Sequence, residues 1–394
     1  MHSVDEAVQE LLKAARAVEE TESIALRKLM GRVLAEDVEA PIDVPPADNS
    51  AMDGYALRHD DWPGEERTLP VSQRIPAGSE PEALREGTAA RIFTGAGVPA
   101  GADTVVVQED CEMHGDAVQI RVLPPKGANI RPRAQDMAAG QQVLSRGARM
   151  RPQEIGLLAS LGLDSATVFR RLRVAVLSNG DELVEPGRPA GEGRIYNSNR
   201  YLLDVMLQAW GFEVIDLGIA PDDPAQIEEL LLEAAVDADV ILSSGGVSVG
   251  EEDHVKDVVA ALGAVDLWKV AIKPGKPFAF GHVKGTPFLG LPGNPASVLV
   301  TALVVARRYL FACQGVSESS VHPFLAPALF SRRTGSRTEY LRARATPDGI
   351  ECHPAQSSGI LLSATWGDGL AIQPADQAIT EGEPVQFLPY ALLL

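Results

Sequence analysis

The segment from residue 172 to 312 constrains the fold most strongly, because short apolar strands alternate with helical patterns along it. Strands are predicted at 174–177, 213–217 and 240–242, and helices at 199–208, 224–234 and 253–262. Strands and helices that alternate at this spacing form right-handed βαβ units, which build a parallel sheet buried on both faces. Strands near 278–281 and 287–291 and a buried helix from Ala296 complete the predicted α/β unit.

The segments on either side of this unit are predicted to be mostly β. A capping-box pattern at residues 3–6 begins an amphipathic helix, and short strands punctuated by Gly and Pro follow from about residue 46 to 144. A second helix is predicted at 152–161. After Gly315, short strands between residues 343 and 387 predict a small β-barrel or sandwich.

Length and charge limit the classes of function. A chain of 394 residues is expected to form about two to four domains. It carries 35 Lys and Arg against 54 Asp and Glu, which gives a formal net charge of −19. Because an acidic surface repels a phosphate backbone, we expect no nucleic-acid partner. Small anionic ligands remain compatible with this charge where basic groups gather locally.

The ends, the apolar runs and the cysteines predict a cytoplasmic protein. The N-terminus has neither the basic start nor the apolar stretch of a secretory signal. The longest apolar run, at 296–306, is about half of what a bilayer requires, so it predicts a buried helix and no membrane partner. Cys111, Cys313 and Cys352 lie far apart and show no zinc-like spacing, which suits reduced thiols.

The loop at residues 243–250 is predicted to bind an anion. In an open parallel sheet, ligands bind at the carboxyl ends of the strands, and this loop follows the predicted strand at 240–242. Its three Gly and three Ser expose backbone N–H groups and hydroxyls. The positive N-terminal end of the next helix adds to the preference for phosphate or another oxyanion.

Three carboxylates, Glu251, Glu252 and Asp253, follow that loop directly. Acidic residues in a first helical turn are common as plain capping, which is the alternative for any one of them. Three of them beside an anion loop would repel the ligand unless a cation lay between. The combination therefore predicts Mg²⁺, held by carboxylates and by ligand oxygens.

Three further loops leave predicted strands of the same unit. Residues 178–182 bring two carboxylates after an Asn-Gly turn, although an ordinary turn is the alternative. Residues 269–277 hold three lysines in a rigid Pro/Gly turn, which predicts either an oxyanion clamp or a solvated surface turn. Residues 291–295 form a stiff connection whose Pro295 fits a first helical turn, and this loop is either scaffold or binding surface.

Six motifs along the chain together resemble one protein family. In order, they are DNSAMDGYA (48–56), RIFTGAGVP (91–99), SNGDEL (178–183), SSGGVSVGEED (243–253), KVAIKPGKPFAFG (269–281) and GLPGNPAS (290–297). They resemble the molybdopterin molybdenumtransferases, the molybdenum insertases of molybdenum-cofactor synthesis, which include the E domain of gephyrin. A single glycine loop would be weak evidence, whereas six ordered motifs are very specific.

The resemblance implies a multidomain chain of α/β and β class. It implies an elongated N-terminal domain of residues 1–45 and 138–171, a β-rich inserted domain of residues 46–137, a parallel-sheet, molybdopterin-binding α/β domain of residues 172–315 and a C-terminal β-barrel of residues 316–394. It also implies a homodimer with the active site at the subunit interface. The inserted domain of one subunit would face the α/β domain of the other.

The implied activity is a transferase reaction. Adenylylated molybdopterin and molybdate are converted to molybdenum cofactor and AMP, with Mg²⁺ as the cofactor. The resemblance leaves open whether a molybdopterin adenylyltransferase docks on the chain.

The resemblance also implies roles for individual residues. The implied catalytic residues are Asp53, Thr94, Asp136, Glu182 and Asp253, of which Glu182 and Asp253 are the implied metal ligands. The implied substrate-binding residues are Ser244, Gly245, Gly246, Ser248, Asp222, Lys269, Lys273, Lys276, Pro292 and Pro295. The glycine loop among them would receive the phosphate of the pterin.

The chain departs from the family pattern at a few positions. Asn179 stands where relatives usually carry Thr or Ser, and His254 stands where Tyr is frequent. In the C-terminal part, Ser358-Gly359 and Ser363 resemble a family motif, but Asp368 begins an Asp-Gly pair in place of Asn-Gly.

Two alternative functions remain at this point. A molybdopterin adenylyltransferase resembles residues 172–312 and shares the glycine loop, although the flanking segments argue against it. A binding scaffold is the other alternative, since the gephyrin E domain also clusters receptors. The carboxylates of the cleft loops favour the enzyme.

Overall fold

A computed structural model describes residues 1–65, 67–246, 254–333 and 335–394. The first elements are α1 (Val4–Ala14), β1 (Thr21–Ala25), a 3-10 helix (Leu26–Lys28), β2 (Val38–Glu39) and β3 (Asn49–Ser50). The predicted capping box of α1 is confirmed, because the Ser3 hydroxyl accepts from the Glu6 N–H at 3.2 Å and the Glu6 carboxylate accepts from the Ser3 N–H at 2.7 Å. The helix buries Leu11 and its apolar neighbours on one face.

The next stretch is β-rich, as predicted. It comprises β4 (Gly54–Leu57), β5 (Thr68–Ile75), β6 (Ala89–Ile92), β7 (Thr104–Val107), β8 (Cys111–His114), β9 (Ala117–Ile120) and β10 (Ile130–Arg131), with 3-10 helices at His59–Asp61 and Gln108–Asp110. Six of these strands form one sheet in the order β7-β4-β6-β5-β9-β8. The β5–β6 pair is parallel and its other pairs are antiparallel.

The chain then returns beside its first segment. This return comprises β11 (Gln142–Leu144), α2 (Pro152–Ser160) and β12 (Ser165–Phe169). β11 pairs with β2 and β12 pairs with β1, both antiparallel. The β-rich stretch is therefore bracketed by two segments that hydrogen-bond to each other.

The α/β stretch contains the alternating elements that the sequence predicts. They are β13 (Arg173–Asn179), β14 (Leu183–Val184), β15 (Ile195–Tyr196), α3 (Ser198–Trp210), β16 (Glu213–Ala220), α4 (Pro224–Asp237), β17 (Val240–Ser244), α5 (His254–Leu262), β18 (Gly263–Lys269), β19 (Ile272–Lys273), β20 (Pro277–Val283), β21 (Thr286–Leu291), α6 (Pro295–Thr301), a π-helical segment (Ala302–Ala306) and α7 (Arg307–Cys313). The main sheet has the order β16-β13-β17-β21-β20-β18.

The prediction of a parallel sheet is correct for four strands and wrong for β20, while β18, which pairs antiparallel with β20, was not predicted as a strand. The pairs among β16, β13, β17 and β21 are parallel, whereas β20 and β18 are antiparallel to their neighbours. The cause is a two-residue hairpin between β20 and β21, in which Lys284 and Gly285 have φ of 50° and 97°. Two consecutive residues with positive φ form the tight turn that joins antiparallel strands.

Helices cover both faces of the sheet and bury two apolar clusters. One cluster joins α1, α3 and the helical run after β21 to the C-terminal strands, through residues such as Leu11, Trp210 and Leu370. The other lies under α4 and α5, around Leu231 and Val259. Full burial of a large apolar side chain contributes about 1.5–3 kcal/mol, so these clusters fix the helices on the sheet.

The helical run Pro295–Cys313 is the one helix, among the described residues, that is long and apolar enough to cross a membrane. Of its most apolar window, 83% is buried inside the protein. That burial agrees with the predicted buried helix from Ala296, because core helices of globular proteins share this length and composition.

The C-terminal stretch forms a separate sheet. Its elements are β22 (Phe324–Pro327), β23 (Thr338–Thr346), β24 (Gly349–Cys352), α8 (Leu362–Trp366), β25 (Gly369–Gln373), β26 (Pro384–Pro389) and α9 (Tyr390–Leu393). The strand order is β19-β23-β25-β26-β22, and β24 pairs with the far part of β23. The edge strand β19 comes from the α/β stretch, between β18 and β20 along the chain, so a segment of that stretch is hydrogen-bonded into the C-terminal sheet.

Candidate active site

The carboxyl ends of four parallel strands meet at one edge of the main sheet. Ser178 of β13 pairs with Ser244 of β17, which in turn pairs with Leu291 of β21. On the other side, Asn179 pairs with Ala220 of β16. A cavity of about 750 Å³ lies at this edge. It is where an open α/β sheet places its ligand.

Most of the site residues expected from the sequence line this cavity. They are Glu182, Asp222, Ser244, Gly245, Gly246, Lys273, Lys276, Pro292 and Pro295. Their gathering agrees with the prediction that several separate loops build one cleft.

Four expected residues do not line the cavity of their own chain. Asp53 accepts hydrogen bonds from Thr94, at 2.8 Å from its N–H and 2.7 Å from its hydroxyl. These two hydrogen bonds hold the pKa of Asp53 below its ordinary value, and the bond from the Thr94 N–H has the larger effect. Asp136 is exposed, and its N–H donates to the Val44 carbonyl. Lys269 is also exposed, and its carbonyl accepts from the His2 N–H.

Two expected residues, Ser248 and Asp253, lie outside the described residues, as do Glu251 and Glu252. Within the described ranges there is no group of three or more His, Cys, Asp or Glu side chains that could hold a metal ion. The carboxylates that line the cavity in those ranges are Glu182 and Asp222.

The glycine loop after β17 needs its small residues. Gly245 and Gly246 have φ of 91° and 68°, a region that residues with a Cβ rarely adopt. A Cβ at Gly246 would lie 2.5 Å from Cγ2 of Val255 and 2.9 Å from Oδ1 of Asn179. Gly246 therefore packs against both α5 and the end of β13, with no room for a side chain at this position.

The loop after β13 is tied to the loop after β16 by two reciprocal hydrogen bonds. The Asp181 N–H donates to the Asp222 carboxylate at 3.0 Å, and the Asp222 N–H donates to the Asp181 carboxylate at 3.1 Å. The Asn179 amide donates to the carbonyls of Ala220 and Pro221, both at 3.3 Å. Glu182 and Asp222 are thereby presented from one connected surface.

The start of α3 also reaches the cavity, which the sequence prediction missed. Asn197 caps the helix, since its side-chain oxygen accepts from the Arg200 N–H at 3.2 Å. Asn199 donates from its side chain to the Gly293 carbonyl at 2.7 Å. Both residues line the cavity together with Tyr196. The Asn-Ser-Asn sequence before an apolar helix was the available signal, because Asn is a preferred N-cap.

The basic side of the cavity combines residues from two sheets. Lys273 and Lys276 line it from the segment around β19, and Arg337 lines it from the start of β23. The Arg337 guanidinium donates to the Ile272 carbonyl at 3.1 Å, and the Lys273 ammonium lies 2.8 Å from the Glu339 carboxylate. These cations give the cavity local positive charge in a chain that is acidic as a whole.

A loop of the C-terminal stretch completes the wall. Gln356, Ser357 and Ser358 line the cavity, and the Ser358 carbonyl accepts from the Ala296 N–H of α6 at 3.0 Å. The guanidinium of the fully buried Arg342 holds this loop by donating to the Ser357 carbonyl at 3.1 Å. Of these residues, the sequence had drawn attention to Ser358 alone.

Comparison with known proteins shows the family of the chain that contains this cavity. Three family models match the chain. Residues 2–162 match the model for the MoeA N-terminal region (domain I and II), and residues 326–390 match the model for the MoeA C-terminal region (domain IV). Residues 175–312 match the model for a probable molybdopterin binding domain. A molybdopterin molybdenumtransferase from Haemophilus influenzae is 43% identical over 320 residues, covering 81% of this chain and 79% of that protein. The chain belongs to the molybdopterin molybdenumtransferase family.

Other members agree over nearly the whole length. A molybdopterin molybdenumtransferase from a Nostoc species is 37% identical, covering 94% of this chain and 89% of its own. A crystal structure of the molybdopterin biosynthesis MoeA protein from Pyrococcus horikoshii superposes with a TM-score of 0.86 at 28% identity, covering 98% of this chain and 100% of that one. A second structure of that protein gives a TM-score of 0.80 at 31% identity, with 98% of each chain covered.

Asn179 and Asp368, which depart from the usual family residues, and Ser363, which resembles the family motif, make structural hydrogen bonds. An amide at Asn179 donates to two carbonyls, whereas a hydroxyl has one proton to donate. His254 begins α5 and is not among the described residues that line the cavity. Asp368 accepts from the Ala345 N–H at 3.0 Å, and Ser363 accepts from the Arg342 guanidinium at 3.0 Å, so both hold the C-terminal sheet and its loop.

Proposed function

We propose that this chain inserts molybdate into adenylylated molybdopterin and releases AMP, forming molybdenum cofactor. One observation carries the proposal. This chain belongs to the family, and its cavity at the carboxyl edge of the sheet is lined by part of the glycine loop, two carboxylates and three cationic side chains from separate loops. That combination suits a ligand with several phosphoryl oxygens.

The chemistry assigns roles to the basic residues. Release of AMP breaks the phosphoanhydride bond of the adenylylated substrate, so negative charge grows on phosphoryl oxygens. Lys273, Lys276 and Arg337 line the cavity where such oxygens would lie, and fixed cations stabilise that charge. Molybdate is a dianion, and the same side chains would attract it to the dithiolene sulfurs. No side chain has to form a covalent intermediate.

A magnesium ion belongs to the same proposal. Mg²⁺ is usually held by one or two carboxylates, waters and substrate phosphates, so the absence of a three-carboxylate cluster from the described ranges does not conflict with it. Glu182 lines the cavity and would hold the ion together with Asp253. When bound, the ion neutralises charge on the phosphoryl oxygens.

We also infer a homodimer in which Asp53, Thr94 and Asp136 serve the cavity of the partner subunit. The position of these residues outside the cavity of their own chain supports it. Docking of a molybdopterin adenylyltransferase, which would deliver the adenylylated substrate, remains part of this proposal. The partners do not include nucleic acid, given the net charge of −19.

The finer division of the chain is proposed with the function. Pairing of β1 with β12 and of β2 with β11 supports an elongated domain made of residues 1–45 and 138–171 around an insertion at 46–137. An α/β domain of residues 172–315 and a C-terminal domain of residues 316–394 follow. A bridge between Ala328 and Ile350 brings the region after β22 back to β24, which supports a closed β-barrel. Free thiols at all three cysteines support a cytoplasmic location.

The test is AMP release from adenylylated molybdopterin by the purified chain, measured with and without molybdate. We expect release that depends on molybdate. A parallel reaction with ATP and molybdopterin measures the alternative adenylyltransferase activity, and we expect no turnover there. Release without molybdate dependence, or turnover in the ATP reaction alone, would contradict the proposal. Stable binding partners without any turnover would instead favour a scaffold.

A further inference from the structure

The C-terminal sheet reaches the cavity through a strand of two residues. In β19, Ile272 lies opposite Thr338 and Lys273 lies opposite Glu339 of β23. The Thr338 N–H donates to the Ala271 carbonyl at 3.0 Å, which fixes the approach of the strand. The backbone of Lys273 is therefore part of the C-terminal sheet, while its side chain lines the cavity of the α/β stretch.

Glu339 is a carboxylate buried between two cations. Its side chain is 6% exposed, and each of its oxygens accepts one charged hydrogen bond at 2.8 Å, from Lys273 and from Arg332. Burial raises the pKa of Glu339, but the two hydrogen bonds outweigh burial and hold the pKa below its ordinary value. An unpaired carboxylate at such a position would be strongly unfavourable, so the two cations are what keep it charged there.

The arrangement fixes Lys273 without cancelling its charge. One carboxylate shared by Lys273 and Arg332 leaves the group of three with one net positive charge. The Lys273 side chain is still 44% exposed and its ammonium has three donors, so it can bind an anion while it stays bonded to Glu339. A lysine with a fixed ammonium loses less conformational freedom when it meets an oxyanion than one that moves freely.

We infer that Glu339 is a positioning residue, which holds the ammonium of Lys273 at the cavity wall for the phosphoryl oxygens of the substrate. The inference rests on the proposed function, because that function supplies the anionic substrate. Through this contact the C-terminal sheet takes part in the reaction, although it is remote in sequence from the glycine loop.

A double-mutant cycle between the two residues tests the inference. We expect Glu339→Gln to lower kcat of AMP release about tenfold, since small misplacement of a charge-stabilising group is costly to the rate. KM should stay unchanged or fall, because removal of a negative charge does not weaken binding of an anion. In a Lys273→Met background, Glu339→Gln should have no further effect on kcat. Losses that multiply in the double variant, or an unchanged kcat in Glu339→Gln, would overturn the inference.

A matched control separates positioning from loss of stability. Asp239 forms a similar ion pair with Arg170, with side chains 19% and 22% exposed, at the beginning of β17 and hence at the opposite edge of the sheet. Asp239→Asn should lower Tm without lowering kcat. Glu339→Asp, which keeps the charge, should recover part of the kcat lost in Glu339→Gln. A fall in kcat that merely follows Tm in all three variants would again count against positioning.

Calorimetric binding of AMP gives a readout that does not need turnover. Lys273→Met should weaken AMP binding. Glu339→Gln should raise AMP affinity in the wild-type background, because a negative charge beside the Lys273 ammonium is lost, and should have no effect in the Lys273→Met background. Failure of the proposed function would appear as wild-type protein without molybdate-dependent release, whereas the binding cycle would still decide the role of Glu339. Independent effects of the two substitutions on AMP affinity would refute that role.

Discussion

Single residues at the cavity are fixed by packing as well as by hydrogen bonds. Gly246 shows this most clearly, because its φ of 68° and its contacts with Val255 and Asn179 both exclude a side chain. The sequence alone predicts an anion loop there from the number of Gly and Ser residues. It does not reveal which Gly is indispensable, since that depends on α5, whose Val255 packs across the loop.

Gly246→Ala should therefore reduce both stability and activity. A left-handed conformation costs a residue with a Cβ about 1–2 kcal/mol, and the contact at 2.5 Å from Val255 adds overpacking of about 1–3 kcal/mol. Because the displaced loop lines the cavity, kcat/KM should fall about tenfold or more. Denaturant unfolding and steady-state AMP release measure the two effects.

Gly285→Ala provides the control for this substitution. Gly285 has a φ of 97°, and among the described residues no heavy atom other than its own and those of its two chain neighbours lies within 4 Å of the position of its Cβ. Its hairpin is not among the described residues that line the cavity. It should show the cost of backbone strain with an unchanged kcat/KM. If both alanine variants behaved alike in AMP release, packing of Gly246 would not matter for the site.

At the scale of elements, long periodic segments were predictable and short ones were not. The helices α3 and α4 follow from their apolar periodicity, and the strands β13 and β17 follow from continuous apolar runs. β19 has two residues, which is too short for any period, and its pairing with β23 joins positions 66 residues apart. The antiparallel edge of the sheet depends on the turn at Lys284-Gly285, a signal that was present in the sequence.

The residues that line the cavity also divide into those that the sequence could predict and those that it could not. Glu182 and the glycine loop follow predicted strands directly, so their place at the sheet edge could be derived from topology. Gln356 and Arg337 reach the same cavity from the C-terminal sheet, and contacts such as Ala296 to Ser358 have no counterpart in local spacing. The resemblance to the family named most of the cavity residues that follow predicted strands, and few of those that come from the C-terminal sheet.

The cap of α3 offers a prediction at this scale. Asn197→Ala removes an N-cap, which costs about 1 kcal/mol of stability, and it also removes the acceptor of the Ser178 hydroxyl at 3.4 Å. Because Asn197 lines the cavity, KM for the adenylylated substrate should rise. Asp223→Ala removes the N-cap of α4, which is not part of the cavity lining, and should cost similar stability with KM unchanged. Equal KM values in both variants would mean that the start of α3 does not contact the substrate.

At the scale of the whole molecule, Asp53 and Thr94 lie in the β-rich stretch, far along the chain from the residues that line the cavity. Two donors of Thr94, its N–H and its hydroxyl, fix one carboxylate oxygen of Asp53. In a single chain, this pair is not among the described residues that line the cavity. In the proposed dimer it would reach a cavity, if the insertion of each subunit faces the cavity of the other.

Complementation between two impaired variants tests that arrangement. Asp53→Ala would damage the insertion and Lys273→Met would damage the cavity, so each homodimer should release AMP at a small, measurable fraction of the wild-type rate. After the two proteins are unfolded together and refolded, about half of the dimers should be mixed, and each mixed dimer should contain one intact site. AMP release should then recover to about a quarter of the wild-type rate. If both residues instead served the cavity of their own chain, each mixed dimer would still hold two damaged sites, and mixing would restore nothing.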